Sequence, residues 1–393
     1  MTARAVVLGV WTGALLVAGC AGIPTPGPFY EAVDAPPVGR PGHLLRSERL
    51  DGAPGGSTAF RVLYVSTGLD GKPITVSGVV VVPPVTAPYS GRKVVAWAHP
   101  TTGVARGCAP SLLDAGIFET IQGLSDALSL GYLVTATDYP GLGTEGTHPY
   151  LVGLSEGRAV LDSVRAAREL PEANAGTEFA IFGHSQGGQA ALFAGQLAAA
   201  YAPELRLVGI ATAAPATNLA ALLEAALGTE LGNGAAAFAL WSWSRVYQAP
   251  ASTVIQPEKL SAVDRVAAHC VATVAQAVGI FGDLQALRPT FLLADPTKVE
   301  PWKDLIALNA AGQAPVGAPL YIAQGTRDTL VVPPVTEAFV AELCRQGERV
   351  TYVEMPGVGH IEAGQKSAPA AITWILARFE LARAPSTCPA AKP

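Results

Sequence analysis

The sequence of 393 residues predicts an α/β fold, with a mostly parallel sheet flanked by helices and an inserted helical domain. Between residues 60 and 213, short runs of apolar and β-branched residues alternate with segments of helical length. This alternation is typical of βαβ units and therefore of a parallel sheet. From 218 to 312 the alternation stops, and the sequence is rich in Ala and Leu with a mostly helical pattern. Because two further strands follow, we interpret this stretch as a helical cap or lid inserted into the sheet domain.

The predicted elements follow one another in a regular order. The first two strands flank a turn at 68–73 and are expected to form an antiparallel hairpin at the start of the sheet. In chain order, the predicted strands are 60–65, 75–82, 93–98, 132–137, 178–182, 207–213, 320–324 and 350–355. The predicted helices outside the cap are 156–170, 189–201 and 368–384.

The first 19 residues have the pattern of a secretory signal peptide. Arg4 near the start is followed by a short apolar run and then by small residues, which is the order that export signals use. The sequence at 17–20, Val-Ala-Gly-Cys, resembles a bacterial lipobox. We therefore expect an exported protein whose Cys20 is lipidated and anchors it to the membrane of the cell envelope. If Cys20 is incidental, the protein is secreted.

Five segments are expected along the chain. Residues 1–19 form the signal peptide, and 20–58 are rich in Pro and Gly, a composition that favours an extended tether. The sheet domain is expected in two parts, 59–217 and 313–393, with the cap at 218–312 between them.

The composition excludes several classes of partner. Charged residues make up 15% of the chain and the net charge is −5, whereas a nucleic-acid partner would require a basic patch. No block of like charges suggests an interaction tail, so no protein partner is implied. No Cys or His spacing is that of a zinc site, so no metal is expected.

Without Cys20, an even number of cysteines remains in an exported chain, which suggests disulfides with three possible connectivities. These cysteines are Cys108, Cys270, Cys344 and Cys388.

A candidate nucleophile lies in the motif Gly-His-Ser-Gln-Gly at 183–187. The motif follows the predicted strand 178–182 and precedes the predicted helix 189–201, which is the context that a nucleophile elbow requires. The tight turn lifts the serine hydroxyl clear of the backbone, and the helix N-terminus supplies N–H groups. We predict that Ser185 is the nucleophile; the alternative is a glycine-rich structural turn.

A serine nucleophile needs a base, and in this kind of fold the base follows the acid along the chain. His360 lies in a glycine-rich loop just after the last predicted strand, where it can reach the strand ends, and we predict that it is the base. His269 is predicted within a cap helix beside Cys270, and we interpret it as a packing residue.

The acid is expected between the serine and the histidine, in a loop at the same edge of the sheet. Asp328 follows the predicted strand 320–324 through a short loop and fits best. Its alternative role is a helix N-cap or turn residue. Asp295 and Asp304 are weaker candidates because both fall in the cap.

The oxyanion of an acyl-transfer reaction needs two backbone donors. Gln186, directly after the nucleophile, is predicted to supply one. The second is expected from the loop after the third strand, where Pro100 has no N–H. We predict Thr101 as this donor, with Thr102 as the alternative.

The chain is similar to the secretory lipase family from about residue 60 to its end. The resemblance rests on the Ser185 elbow, the Asp328 and His360 loops and three further stretches, at 137–143, 148–150 and 161–168. It implies an α/β-hydrolase fold with a helical cap whose tunnel holds an acyl chain. It also implies hydrolysis of triacylglycerols or other carboxylic esters, and the disulfides Cys108–Cys270 and Cys344–Cys388.

The function predicted from the sequence is that of a serine ester hydrolase, a lipase of the triacylglycerol type, which acts on lipid or other acyl esters without a cofactor. Ser185, His360 and Asp328 would carry out a two-step acyl transfer. The alternatives are a short-chain esterase and a serine peptidase or amidase on the same fold. A non-catalytic lipid-binding lipoprotein is a further alternative, which an incomplete set of catalytic residues would favour.

Overall fold

The computed structural model describes residues 23–31, 37–113 and 116–389. The predicted signal peptide and Cys20 lie outside these residues. Within the described ranges, nine strands form one sheet in the order β1-β2-β3-β5-β4-β6-β7-β8-β9. The strands are β1 (Leu44–Leu50), β2 (Thr58–Thr67), β3 (Pro73–Val82), β4 (Arg92–Ala98), β5 (Leu133–Thr137), β6 (Ala175–His184), β7 (Arg206–Ala213), β8 (Leu320–Gly325) and β9 (Val350–Met355).

The sheet is parallel through its larger part. From β5 across β4, β6, β7 and β8 to β9, neighbouring strands pair in parallel. The strands β1, β2 and β3 form an antiparallel ribbon that joins β5 antiparallel. The prediction of an α/β fold with a mostly parallel sheet is therefore confirmed, and the predicted hairpin corresponds to β2 and β3.

Helices cover both faces of the sheet. The helices are α1 (Ile117–Thr120), α2 (Leu124–Ser129), α3 (Gly153–Glu169), α4 (Gln186–Tyr201), α5 (Leu219–Ala226), α6 (Glu230–Val246), α7 (Leu260–Ala267), α8 (Val274–Gly279), α9 (Phe281–Ala286), α10 (Trp302–Leu308), α11 (Pro333–Arg345) and α12 (His360–Phe379). One buried layer packs α3, α4 and α11 on the sheet. The other layer contains α1, α2, α12 and side chains of α5, α6, α7, α9 and α10. In the described part of the chain, no helix is long and apolar enough to cross a membrane.

The segment 20–58, expected to be a tether, contains an ordered edge strand. β1 pairs antiparallel with β2, and the Leu44 N–H donates to Glu169 Oε2 at 3.0 Å. Tyr30 is buried, with its hydroxyl 2.7 Å from Ser111 Oγ. The prediction missed this strand because an edge strand pairs on one side only, and β1 carries three exposed polar residues in succession.

The segment 218–312 holds α5 to α10, and we call it the cap segment. It lies in the chain between β7 and β8, and the disulfide Cys108–Cys270 joins it to the loop region after β4. A second disulfide, Cys344–Cys388, joins α11 to the segment after α12. These are the two pairs that the family resemblance implies.

Candidate active site

The turn at Ser185 connects β6, which ends at His184, directly to α4, which begins at Gln186. Ser185 has φ 57° and ψ −117°, a strained backbone conformation that surrounding contacts must hold in place. Its N–H donates to Ala213 O at 3.0 Å. A Cβ atom at position 187 would lie 1.9 Å from Ala98 O, so only glycine allows the helix to approach the sheet this closely.

Three of the predicted side chains form one hydrogen-bonded chain. Ser185 Oγ lies 2.8 Å from His360 Nε2, and His360 Nδ1 lies 2.7 Å from Asp328 Oδ2. Because a carboxylate accepts the Nδ1–H, the Nε2 lone pair faces the serine hydroxyl. All three residues are buried, so this chain is largely shielded from water.

The loops after two neighbouring strands hold the acid and the imidazole. Asp328 follows β8, and its Oδ1 accepts the N–H groups of Leu330 and Val331 at 2.9 and 2.8 Å. His360 follows β9 and is the first residue of α12. The helix predicted to start at 368 therefore begins eight residues earlier, because Pro369 is accommodated inside it.

The alternative acids and the second histidine have other partners. Asp295 is bound to Thr297 and Lys298, and Asp304 lies exposed on α10. His269 Nε2 lies 2.9 Å from Asp283 Oδ2 in the cap segment. None of them joins the hydrogen-bonded chain of Ser185.

The residues predicted to bind the oxyanion line the same cavity as Ser185: Gln186, Thr101 and Thr102. Gln186 is the first residue of α4, where backbone N–H groups have no acceptor within the helix. The threonines belong to the oxyanion loop, which we define as 99–103, directly after β4. The Thr102 carbonyl accepts the N–H of Val271 at 2.8 Å.

A buried polar group behind the nucleophile was not found from the sequence. The Gln186 side chain donates to Glu156 Oε1 at 2.7 Å and lies 3.1 Å from His148 Nε2. Burial raises the pKa of Glu156 to about 8 and lowers the pKa of His148 to about 3. At neutral pH both groups are therefore uncharged, so Gln186 can donate to His148 Nε2 as well.

The cavity above Ser185 has a volume of about 680 Å³ and a mostly apolar lining. The cap segment supplies many of these side chains, among them Leu222, Phe238, Trp243, Ile280 and Leu284. A site of this size and polarity suits an apolar ligand with few polar groups. Within the described residues, no group of His, Cys, Asp and Glu could hold a metal ion.

A family model described as secretory lipase matches residues 118–386, more than half of the chain. The chain belongs to the secretory lipase family. The resemblance predicted from the sequence is confirmed, and the family identifies the chain as a serine ester hydrolase of the lipase and esterase type.

Two relatives match most of the chain. A secreted triacylglycerol lipase of Malassezia globosa is 25% identical over 92% of this chain and 81% of its own length. A protein of Mycobacterium tuberculosis named as a probable inactive lipase is 26% identical over 91% of this chain and 82% of its own length.

The fold is also found in a solved structure. The X-ray structure of Candida antarctica lipase A superposes with a TM-score of 0.77 at 20% identity, covering 94% of this chain and 89% of that one.

Proposed function

We propose that this family member hydrolyses carboxylic esters of lipids, with triacylglycerols among its substrates, through an acyl-enzyme on Ser185. One observation carries the proposal: the hydrogen-bonded chain from Ser185 through His360 to Asp328 faces an apolar cavity. A nucleophile, a base and an orienting acid in this geometry are what acyl transfer requires.

The proposed reaction has two steps. His360 Nε2 takes the proton of Ser185 Oγ as this oxygen attacks the ester carbonyl carbon, and the alcohol leaves with that proton. His360 Nε2 then takes a proton from water as the water oxygen attacks the acyl carbon, and it returns the proton to Ser185 Oγ as the bond to the acyl group breaks and the acid leaves. Asp328 holds the Nδ1–H and thereby the tautomer that the base needs.

The negative oxygen of each intermediate would be bound by backbone N–H groups of Gln186 and Thr101. We favour Thr101 over Thr102 because it is the first residue after Pro100 that carries an N–H. Preorganised donors of this kind contribute about 2.7–4 kcal/mol each to transition-state stabilisation.

We propose that the cap segment covers the site as a domain of its own between the two parts of the sheet domain. Its apolar side chains in the cavity support an acyl chain as the bound group. The relative from Malassezia globosa is named for triacylglycerols, which supports this substrate class.

Substitution of the nucleophile tests the mechanism. Ser185→Ala is expected to lower kcat about 10⁴-fold or more on ester substrates. Ser163→Ala is the matched control, because this buried serine on α3 only donates to Val160 O of its own helix. A Ser185→Ala variant with the turnover of wild type would refute the assignment.

A profile of kcat/KM across esters of short to long acyl chains tests the substrate class. We expect long-chain esters to be preferred, because the cavity is large and apolar. A preference for short, water-soluble esters would identify an esterase instead. A protein that neither turns over esters nor reacts with a serine-directed phosphonate would be a non-catalytic relative, such as the name of the Mycobacterium tuberculosis protein suggests.

The protein is exported, as the description of its family and the name of the secreted relative from Malassezia globosa indicate. We propose in addition that Cys20 carries a lipid anchor to the membrane, on the basis of the four residues at 17–20. Cys20→Ser is expected to move the enzyme from the membrane fraction to the soluble fraction. An unchanged distribution would exclude the anchor.

A further inference from the structure

The oxyanion loop is held by a tyrosine that the proposed mechanism does not use. Tyr150 lies in the loop between β5 and α3, and its hydroxyl is 2.8 Å from Thr101 Oγ1. Thr101 and Tyr150 are 49 residues apart in the chain. This bond ties the loop that would bind the oxyanion to a separate part of the fold.

The backbone of Tyr150 is itself fixed by helix α6 of the cap segment. Its N–H donates to Ser242 Oγ at 3.1 Å, and its carbonyl accepts the indole N–H of Trp243 at 2.8 Å. The Ser242 hydroxyl donates in turn to His148 O at 2.6 Å. The ring of Tyr150 also packs edge-on against Phe238 of α6 at a centroid distance of 6.0 Å. Tyr150 is 2% exposed, so its hydroxyl has little freedom to move.

The other hydrogen bonds of the oxyanion loop next to Thr101 are at carbonyl groups, such as that of the Thr102 carbonyl with the Val271 N–H. Pro100 has no N–H to donate, and within the described residues the Thr101 N–H has no hydrogen-bond partner. A free N–H is what an oxyanion donor needs, and the plane of its peptide is held from one side at the Pro100 carbonyl, which lies 2.7 Å from His99 Nδ1. The side chain of Thr101 is a second point at which the direction of its N–H can be set.

We propose that Tyr150 is a positioning residue for the oxyanion donor: by its bond to Thr101 Oγ1 it directs the Thr101 N–H at the reacting carbonyl, and α6 of the cap segment holds Tyr150 in place. The inference deepens the proposed function and rests on it. The cap segment then contributes to the rate of the chemical step as well as to binding of the acyl chain.

Loss of this bond should weaken stabilisation of the transition state and leave binding of the substrate largely unchanged. Removal of an oxyanion donor costs about 10²–10³ in kcat, and a misplacement of about 1 Å costs up to 100-fold. Loss of the tyrosine hydroxyl leaves the donor present but less well directed. We therefore expect Tyr150→Phe to lower kcat about tenfold or more and to change KM by less than about twofold.

The experiment compares wild type with Tyr150→Phe, Thr101→Val and the double variant on a soluble ester. The matched control is Tyr64→Phe, which removes a buried tyrosine hydroxyl bound to Thr137 Oγ1 at 2.7 Å in the opposite layer of the core. Active sites are counted by end-point labelling with a serine-directed phosphonate, so that misfolded protein does not enter kcat. Affinity for an alkyl boronic acid, which resembles the tetrahedral intermediate, is measured in parallel.

Both single variants are expected to lose the same factor in kcat and in boronic acid affinity, and the double variant is expected to lose no more than either. Thr101→Val removes the same bond from the other side and carries the test if Tyr150→Phe does not fold. A Tyr150→Phe variant with the kcat of Tyr64→Phe, or losses that multiply in the double variant, would overturn the inference. A wild-type protein without turnover or labelling would instead refute the proposed function.

Discussion

At the scale of single residues, Glu156 is a carboxyl group in an unusual setting. It is fully buried behind the nucleophile, and its Oε1 accepts the N–H of Leu151 at 2.9 Å and the amide of Gln186 at 2.7 Å. Burial raises its pKa to about 8, so the group is protonated in the folded protein at neutral pH. Its ionisation would place a negative charge near the oxyanion that Gln186 is proposed to bind.

The pKa of Glu156 predicts a dependence of stability on pH. In the unfolded chain the carboxyl titrates near 4.5, and in the folded protein near 8. Between these values the folded state holds one more proton than the unfolded state. The contribution of Glu156 to the free energy of unfolding should therefore fall as the pH rises, by about 1.4 kcal/mol for each pH unit. His148 contributes a slope of the opposite sign below about pH 6.5, because its pKa of about 3 keeps it neutral in the folded protein while the unfolded imidazole is protonated.

Glu156→Gln should remove this contribution, because the amide cannot ionise. Denaturant unfolding at several values between about pH 5 and pH 8 measures it. The stability of the variant relative to wild type is expected to increase as the pH rises. The exposed Glu354 provides the control, since Glu354→Gln should leave the slope as it is in wild type. Parallel curves for wild type and Glu156→Gln would show that Glu156 is ionised in the folded state.

The residues of the proposed site differ in how far the sequence could predict them. Ser185, Asp328 and His360 each follow a predicted strand, and the order of the three along the chain is itself informative. Glu156 was predicted only as the first residue of a helix. Tyr150 was noted only as part of a family stretch. The Glu156 side chain is hydrogen-bonded to Gln186, 30 residues away, and the Tyr150 side chain to Thr101, 49 residues away. Contacts over such separations cannot be predicted from the local sequence pattern.

At the scale of elements, the helices α8 and α9 expose apolar side chains at the cavity mouth. Val274 and Phe281 line the cavity and are nevertheless 83% and 52% exposed, and Val278, one turn after Val274, is 70% exposed. Exposed apolar side chains around a pocket are typical of a surface that binds a membrane, another protein or an apolar ligand. We expect this rim to contact aggregated ester substrate.

Replacement of Val274, Val278 and Phe281 by Ser together should separate two activities. Hydrolysis of emulsified long-chain esters is expected to fall at least tenfold, because each side chain loses up to about 1.5 kcal/mol of apolar burial at the interface. Turnover of a soluble short-chain ester should stay within about twofold of wild type, since no polar group of the site is changed.

The exposed Val85 and Leu381 provide the control for this rim, because neither lines the cavity. Replacement of both by Ser should leave both activities unchanged. An equal loss on soluble and emulsified esters in the rim variant would contradict a role in contact with the lipid surface.

The existence of most strands and helices was easier to predict from the sequence than the residues at which they begin and end. Strands with continuous apolar runs, such as β6 and β8, lie where the sequence predicts them, because both of their faces are buried. β1 was missed because it pairs on one side only and carries charged residues at its exposed end. Helix α12 was predicted to start at 368 but begins at His360, and Pro369 lies inside it.

At the scale of the whole molecule, the two disulfides serve different parts of the fold. Cys108–Cys270 closes a separation of 162 residues between the loop region after β4 and the cap segment. Directly after Cys270, the N–H of Val271 donates to Thr102 O. Cys344–Cys388 packs against the opposite layer of the core, away from the oxyanion loop. The first disulfide therefore joins the cap segment to the loop that is proposed to bind the oxyanion.

Removal of each disulfide should separate stability from catalysis. Replacement of Cys108 and Cys270 by Ser is expected to lower the free energy of unfolding by about 2–5 kcal/mol. It should also lower kcat about tenfold at a temperature where the variant is folded, because the loop that carries Thr101 loses a restraint close to the site. Replacement of Cys344 and Cys388 by Ser is the matched control, with a loss of stability and an unchanged kcat. If both pairs of substitutions lower kcat equally, the effect is one of general stability, and the cap segment has no particular part in holding the oxyanion loop.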